Sequence, residues 1–355
     1  MENTDQIRQV LALMDRPAFY VRGGTVLCVN SAARARMVPE GAAVAPLLGA
    51  CRTEYEKFSG GSLGLCLTVG GTDYCASVER LGSGDLFLLS PTGADEELRA
   101  LALAAQQLRL PLNLLLNTAD DLFSRLSGSS EQDDRQMAAM NRSLYQMLRI
   151  VLNMSDAHQT PASRMELRDL TAVLQEVFDQ AAQLLPETGA RLHFVNLTRS
   201  VYSLADSSRL ERAVFNLISN AVKHTPAGGV IEAALTRQGS RLYLTLRNPG
   251  GVPGSAADAF SRFLREPGIE DSRSGLGLGM RLVQSAAAAH GGTVLLEPTP
   301  DGGMMVTMSL SIRQNADELH APLLRIDYAG ERSHALVELS DQLPGSLYLP
   351  KKEPD

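Results

Sequence analysis

Residues 211–229, ERAVFNLISNAVKHTPAGG, bring two amides and an amine close enough to act together. The spacing predicts an amphipathic helix with Asn216, Asn220 and Lys223 on one face. Val214, Leu217, Ile218 and Ala221 turn the other way, and Pro226 and the Gly228-Gly229 pair end the helix. Amide oxygens are hard ligands, so Asn216 and Asn220 are candidate magnesium ligands, and the Lys223 ammonium meets phosphate charge. The set suits a magnesium-bound polyphosphate. The plain alternative is a solvated helix face with chance asparagines.

A second stretch, SGLGLGMRLV at 274–283, runs directly into a helical pattern and then the strand-like TVLLE. Gly275, Gly277 and Gly279, with Leu278 between them, let backbone amides approach an anion, and the helix start adds its dipole. Alone, such glycines usually mean a turn. Here they follow the asparagine helix, with the strand pair VIEAALTR and RLYLTLRN in between. Over residues 163–312 the combination resembles the ATP-binding domain of sensor histidine kinases, whose fold is shared with gyrase and the Hsp90 chaperone. Asn216, Asn220 and Lys223 match that family's N box, and the three glycines match its second glycine box. Phe260 and Phe263 match the F box of its ATP lid, residues 256–274 here. The resemblance implies ATP or ADP with Mg2+ as cofactors. In the first glycine box Asn248 stands where the family's adenine-recognising aspartate falls, followed by Gly250 and Gly251, with one residue fewer than the family pattern. Losing that charge predicts weakened rather than abolished binding, by about 1 kcal/mol or about tenfold.

The elements before this domain must position a substrate for it. From Leu98 the apolar series Leu98, Leu101, Ala105, Leu108, Leu112, Leu115, Ala119, Leu122, Leu126 alternates steps of three and four. Met137, Met140, Leu144, Met147, Val151 and Met154 answer it after the turn SGSSEQDD. Two such helices bury too little surface alone, which predicts a homodimer through residues 96–155 as a four-helix bundle. The methionines read as core filler. Pro111 lies inside the first helix, where proline costs about 3 kcal/mol. In histidine kinases the phosphoacceptor helix carries a proline as the last residue of its His-Glu-x-x-Thr/Asn-Pro pattern. On that resemblance Gln106 takes the phosphoacceptor position, Gln107 the acidic position, and Leu110 the Thr/Asn position that orients water. A glutamine amide is not a nucleophile, Gln107 cannot take a proton as a carboxylate would, and Leu110 cannot hold a water. All six histidines lie outside this helix. The structural pattern is complete while every chemical position is altered; random decay would damage both.

Residues 1–91 alternate short apolar strands with glycine turns, PAFYVRGG, TVLCVN, LGLCLTVGG, TDYCASVERL and GDLFLLSP, the pattern of an antiparallel sheet. With VNSAARARM after the first hairpin they resemble a PAS sensor domain, which says nothing of a ligand. The four cysteines, 28, 51, 66 and 75, fit no zinc spacing and are expected as reduced, mostly buried thiols, a redox or cofactor role being the lesser alternative. SDAHQTPAS reads as a linker, TAVLQEVFDQAAQLL as a helix, and RLHFVNL with SVYSLAD as a strand pair. Beyond residue 312, PLLRIDY to SHALVELS reads as a strand hairpin and QLPGSLYLPKKEPD as a loose tail.

Length and charge bound the rest. The 355 residues, 44% apolar, suit two or three packed domains. With 33 basic against 40 acidic residues and a net charge of −7, no nucleic-acid partner is expected. The polar start is no signal peptide and no apolar run is long enough for a membrane span, so a cytoplasmic protein is expected. The expected fold is α+β and multidomain. It comprises a PAS-like sheet domain (1–91), a helical-hairpin dimer bundle (92–157), a two-layer α/β sandwich of the histidine-kinase/gyrase/Hsp90 ATPase type (163–312) and an extension (313–355). The expected function is a nucleotide-binding regulatory dimer, impaired in autophosphorylation, facing a response regulator or partner kinase. The rivals are a kinase acting in trans on another protein and a nucleotide-free structural module.

Overall fold

The structure, a computed structural model, describes residues 4–14, 16–91, 96–126, 130–156, 165–250, 278–313, 328–330 and 332–349. Helix α1 (Thr4–Ala12) precedes β1 (Ala18–Arg22) and β2 (Thr25–Val29). Three short helices, α2 (Ser31–Ala35), α3 (Ala45–Leu48) and α4 (Arg52–Lys57), lead to β3 (Ser62–Val69), β4 (Thr72–Leu81) and β5 (Gly84–Pro91). These strands pair antiparallel in the order β2-β1-β5-β4-β3. Leu63, Leu65, Leu67, Val69, Ala76 and Val78 alternate onto one buried face, as period-two patterning dictates.

Two long helices follow, α5 (Glu96–Leu126) and α6 (Glu131–Asp156), and Pro111 is accommodated inside α5. Their mutual seam uses Ala102, Ala105, Leu112, Leu116, Ala119 and Phe123 against Met137, Tyr145, Leu148 and Leu152. The expected seam is therefore split. Ala105, Leu112 and Ala119 are buried, whereas Leu108, Leu115 and Leu122 are 52%, 55% and 46% exposed, as are Met140 (47%) and Met147 (50%) on α6. One hairpin covers only one side of each helix, and the apolar positions left over form an exposed stripe.

The third part contains β6 (Glu166–Asp169), α7 (Leu170–Leu184), β7 (Arg191–Asn196), β8 (Tyr202–Ala205) and α8 (Ser207–His224). β9 (Val230–Gln238), β10 (Arg241–Asn248), α9 (Leu278–Ala289), β11 (Val294–Pro298) and β12 (Met304–Ser311) complete it. The expected pairing of RLHFVNL with SVYSLAD does not occur. β7 runs parallel to β9, and β8 pairs with β6, a strand the sequence reading missed. The sheet order here is β11-β12-β10-β9-β7. It does not stop at β11: Leu295 pairs with Leu63 and Val294 with Gly64 of β3, joining two sheets into one of ten strands. Each domain thereby covers the other's open edge. Gly61 permits the approach, since a Cβ there would lie 2.2 Å from the Leu296 carbonyl oxygen. Arg241 clamps the junction, its Nε 2.6 Å from Glu54 Oε1.

The C-terminal segment also departs from expectation. SHALVELS, read as strand, forms α10 (His334–Glu338), capped by the Ser333 hydroxyl accepting from Leu336 N. The expected loose tail is packed up to a 3-10 turn, Gly345–Tyr348: Tyr348 is 2% exposed and meets Tyr145 edge-on. Asn141 Nδ2 donates to the Tyr348 carbonyl at 2.8 Å. Glu338, fully buried, lies between Arg212 of α8 (Nε to Oε1, 2.8 Å) and Arg149 of α6 (Nε to Oε2, 3.7 Å). Arg212 also bonds Asp156 and Asn153, and Arg149 reaches Asp341 at 2.5 Å. Burial opposes the Arg212 charge, but Asp156 and Glu338 outweigh it and hold the guanidinium above its usual range. Removing Glu338 leaves each arginine one carboxylate, Asp156 for Arg212 and Asp341 for Arg149, but strands the buried Arg212 Nε donor. Glu338→Ala is therefore expected to cost about 1–3 kcal/mol, against under about 1 kcal/mol for Arg125→Ala at an exposed pair. Urea unfolding of both variants measures the difference.

Candidate functional site

Helix α8 carries the asparagine face. Asp206 caps it, its Oδ1 accepting from Arg209 N, and the Asp206 amide donates to His290 Nε2 at the end of α9. His290 Nδ1 donates to the Ala286 carbonyl, so the ring is neutral, in keeping with the downward pull of burial on its pKa. It is a joint between α8 and α9 rather than a reactive group. Val214, Leu217, Ile218 and Ala221 pack inward as expected.

The three predicted side chains differ in setting. Asn216 is 2% exposed, its Nδ2 donating to the Arg212 carbonyl at 2.9 Å and its Oδ1 accepting from Arg149 Nη2 at 3.3 Å. The oxygen expected to face a metal thus faces a guanidinium from the helical hairpin. Asn220 and Lys223, one and two turns on, are half-buried. Gly279, near the start of α9, lies against this face: a Cβ there would stand 3.1 Å from Asn216 Oδ1. Leu278 opens α9. Gly275, Gly277, Gly251, Phe260, Phe263 and the predicted lid lie outside the described residues.

Asn248 ends β10, 6% exposed, its Nδ2 donating to the Gly250 carbonyl at 2.7 Å. This engages its nitrogen and keeps the oxygen as the acceptor. Gly250 has a packing reason beyond any ligand, because a Cβ there would fall 1.4 Å from the His224 carbonyl oxygen. Strand end and helix end therefore touch. A cleft of about 510 Å³ beside them is lined by Pro226, Gly229, Glu232, Arg247, Pro249 and Asp301, and none of the predicted site residues lines it.

On α5, Gln106 and Gln107 are exposed and Leu110 is 79% exposed. Arg109 Nη2 donates to the Tyr328 carbonyl, tying the helix to the C-terminal segment. Sequence reasoning missed Arg149, Arg212, Glu338 and Asp341. Arg212, just ahead of the asparagines on a helix face that turns inward, was the one available signal. Among the described residues no group of acidic, histidine or cysteine side chains is arranged to hold a metal.

Residues 205–314 match the family model of histidine kinase-, DNA gyrase B- and HSP90-like ATPases, so this part of the chain is an ATPase-type domain. An uncharacterised sensor-like histidine kinase of Rhizobium meliloti is 29% identical over 276 residues, 70% of this chain and 51% of that protein. The sensor protein DivL of Caulobacter vibrioides is 30% identical over 227 residues, 61% of this chain and 28% of that protein. The chain thus spans about half the length of the first and a smaller share of the second. Among solved structures, full-length ShkA in complex with AMPPNP is 23% identical with a TM-score of 0.47, covering 61% of this chain and 46% of that one. The domain match and these relatives support a place in the histidine kinase family and in two-component signalling.

The two asparagines are expected to part company in stability. Asn216→Ala leaves the Arg149 Nη2 donor unmatched in a buried place, while the Arg212 carbonyl keeps its helical bond, a loss of about 1–3 kcal/mol. Asn220→Ala, at a half-buried position, is expected within about 0.5 kcal/mol of the parent. Urea denaturation without nucleotide measures both.

Proposed function

We propose that the chain is a dimeric signalling protein of the histidine-kinase type that binds Mg-ATP or ADP and does not phosphorylate itself. The observation that carries this reading is the exposed amide of Gln106 on α5, where the family places its phosphoacceptor. An exposed position suits an approaching ATP domain, yet the group there has no nucleophilic lone pair. Nucleotide would lie along α8. Asn220 would hold magnesium, Asn216 would join it once Arg149 withdraws, and Lys223 would meet phosphate. Asn248 would accept from the adenine amino group, and Gly275, Gly277, Leu278 and Gly279 would lend backbone amides. The tight contact of Gly279 with Asn216, which a side chain would crowd, supports this.

The exposed stripe of Leu108, Leu115, Leu122, Met140 and Met147 supports a homodimer through residues 96–155. The strand order β2-β1-β5-β4-β3 supports the PAS-like reading of residues 1–91. No helix among the described residues is long and apolar enough to cross a membrane, which suits a cytoplasmic setting. The dimer conformation, set by nucleotide, would be presented to a response regulator or partner kinase. One observation favours a nucleotide-free module instead: Arg149 already occupies the Asn216 oxygen. Calorimetry and thermal shift at millimolar nucleotide with magnesium separate the two, and silence in both supports the nucleotide-free module.

Light scattering is expected to give twice the monomer mass. Leu115→Glu with Met147→Glu should give monomers, because neither position packs within its own hairpin; an unchanged mass counts against the bundle. With γ-labelled ATP the parent protein is expected to take no acid-labile, alkali-stable label. Gln106→His alone should label poorly and Gln106→His with Gln107→Glu better, since general-base help is worth about 10²–10⁴-fold. Label on the parent overturns the reading, and equal labelling of the two variants refutes the role given to Gln107.

A further inference from the structure

Strands β3 and β4 join through the two-residue turn Gly70-Gly71, both at positive φ (57° and 80°), as a type I′ hairpin requires. The residues flanking such a turn, Val69 and Thr72, form a hydrogen-bonded pair, and the pair type alternates away from it. Thr68↔Asp73 is then non-hydrogen-bonded, Leu67↔Tyr74 hydrogen-bonded, and Cys66↔Cys75 again non-hydrogen-bonded. In that class Cα atoms approach to about 4.5 Å and the side chains draw close. The distance falls inside the Cα window of a disulfide, roughly 4.4–6.8 Å.

Both sulfurs stand on the sheet face opposite the core residues Leu65, Leu67 and Ala76, and both cysteines are only partly buried. Cys28 and Cys51 are fully buried, and burial pushes both thiols up. Cys75 behaves differently. The neighbouring Cys66 thiol draws its pKa down despite burial, with Arg281 of α9 adding to the effect. The same contact pushes Cys66 up. Two adjacent sulfurs with a guanidinium acting on Cys75 favour Cys75 as the attacking sulfur.

We propose that Cys66 and Cys75 form a reversible dithiol–disulfide site, oxidised by low-molecular-weight disulfides of the glutathione type. The Cys75 thiolate attacks one sulfur of the oxidant, the oxidant's S–S bond breaks, and one thiolate leaves. Cys66 then loses its proton to solvent and attacks the Cys75 sulfur, expelling the second thiolate. Two protein thiols and one small disulfide become one protein disulfide and two small thiols. The site lies beneath α9, whose Gln284 Nε2 donates to the Ala76 carbonyl at 3.0 Å, next to Cys75 in the chain. Oxidation would therefore alter the hairpin on which the helix following the glycine stretch rests.

Both cysteines fall in one tryptic peptide, residues 58–80, whereas Cys51 lies in another. The full-length protein is incubated with oxidised glutathione, alkylated after unfolding, digested without reduction and mapped by mass. The expected product is peptide 58–80 lighter by two hydrogens and free of alkyl groups, with Cys28 and Cys51 alkylated and the change reversed by dithiothreitol. Cys66→Ser should stop at a glutathione adduct on Cys75, and Cys75→Ser should react more slowly than the parent. Four alkylated cysteines after exposure, a stable adduct on the parent, or a Cys51–Cys66 link would each overturn the proposal.

Discussion

The carboxylate of Glu338 constrains the rest of the arrangement. It is wholly enclosed, and an enclosed carboxylate without partners costs far more than a small domain's net stability allows. Its two oxygens face two guanidiniums, one from the helical hairpin and one from the asparagine helix. Arg212 also bonds Asp156 and Asn153 of the hairpin directly, so the five-residue helix near the C-terminus reinforces how hairpin and ATPase-type domain meet. Tyr328, stacked on His334 at 3.9 Å and lying under Arg212, and Tyr348 against Tyr145 enclose the cluster in aromatic surface. That enclosure is what makes the pairing strong. The Arg149 contact with Asn216 follows from the same geometry, because Asp341 and Glu338 orient the guanidinium that reaches it. The amide of the candidate nucleotide face is therefore coupled to the C-terminal segment through a single side chain.

The N-terminal domain is attached by a different kind of force. Backbone pairing of β3 with β11 spans only three residue pairs, and its directionality, more than its energy, sets the orientation. Arg241 adds the specific contact, bonding Glu54 on one side and the Gly291 carbonyl on the other. The two attachments differ in kind, one through charge and aromatic burial, one through a shared sheet. A change in either neighbour therefore has a path into this domain: through Arg149 and Arg212 to α8, and through Gln284 to α9.

What was legible in the sequence is what local periodicity controls. The five N-terminal strands, both long helices, α7, α8 and the β9–β10 hairpin follow from patterns contained in one window. Pairing partners at long range were not legible. β7, with Leu192 and Phe194 half-buried, has the same alternation whether it pairs with β8 or, as it does, with β9. The seam of α5 misled for a related reason: two interleaved apolar stripes exist, and periodicity cannot say which faces its own hairpin. α10 is too short to show a period at all, and its fixation depends on Arg149 and Arg212, each more than a hundred residues away. Gly250 was legible as a required glycine, yet the structure supplies packing against His224 as a reason that needs no ligand.

The exposure of the three positions matched to the phosphoacceptor pattern bears on the proposed reading. Gln106, Gln107 and Leu110 all face outward on α5, so nothing in the packing of the hairpin dictates their identity. A histidine at 106 would meet no steric objection, and a carboxylate at 107 no desolvation penalty. The residues that packing does dictate, Ala105 and Leu112 on either side, keep the pattern of a bundle helix. Fold constraints therefore do not set the identity of residues 106, 107 and 110. On the reading proposed above, the choice at these positions belongs to function, and hairpin, nucleotide-type face and C-terminal tie would together yield a conformation rather than a transferred phosphate.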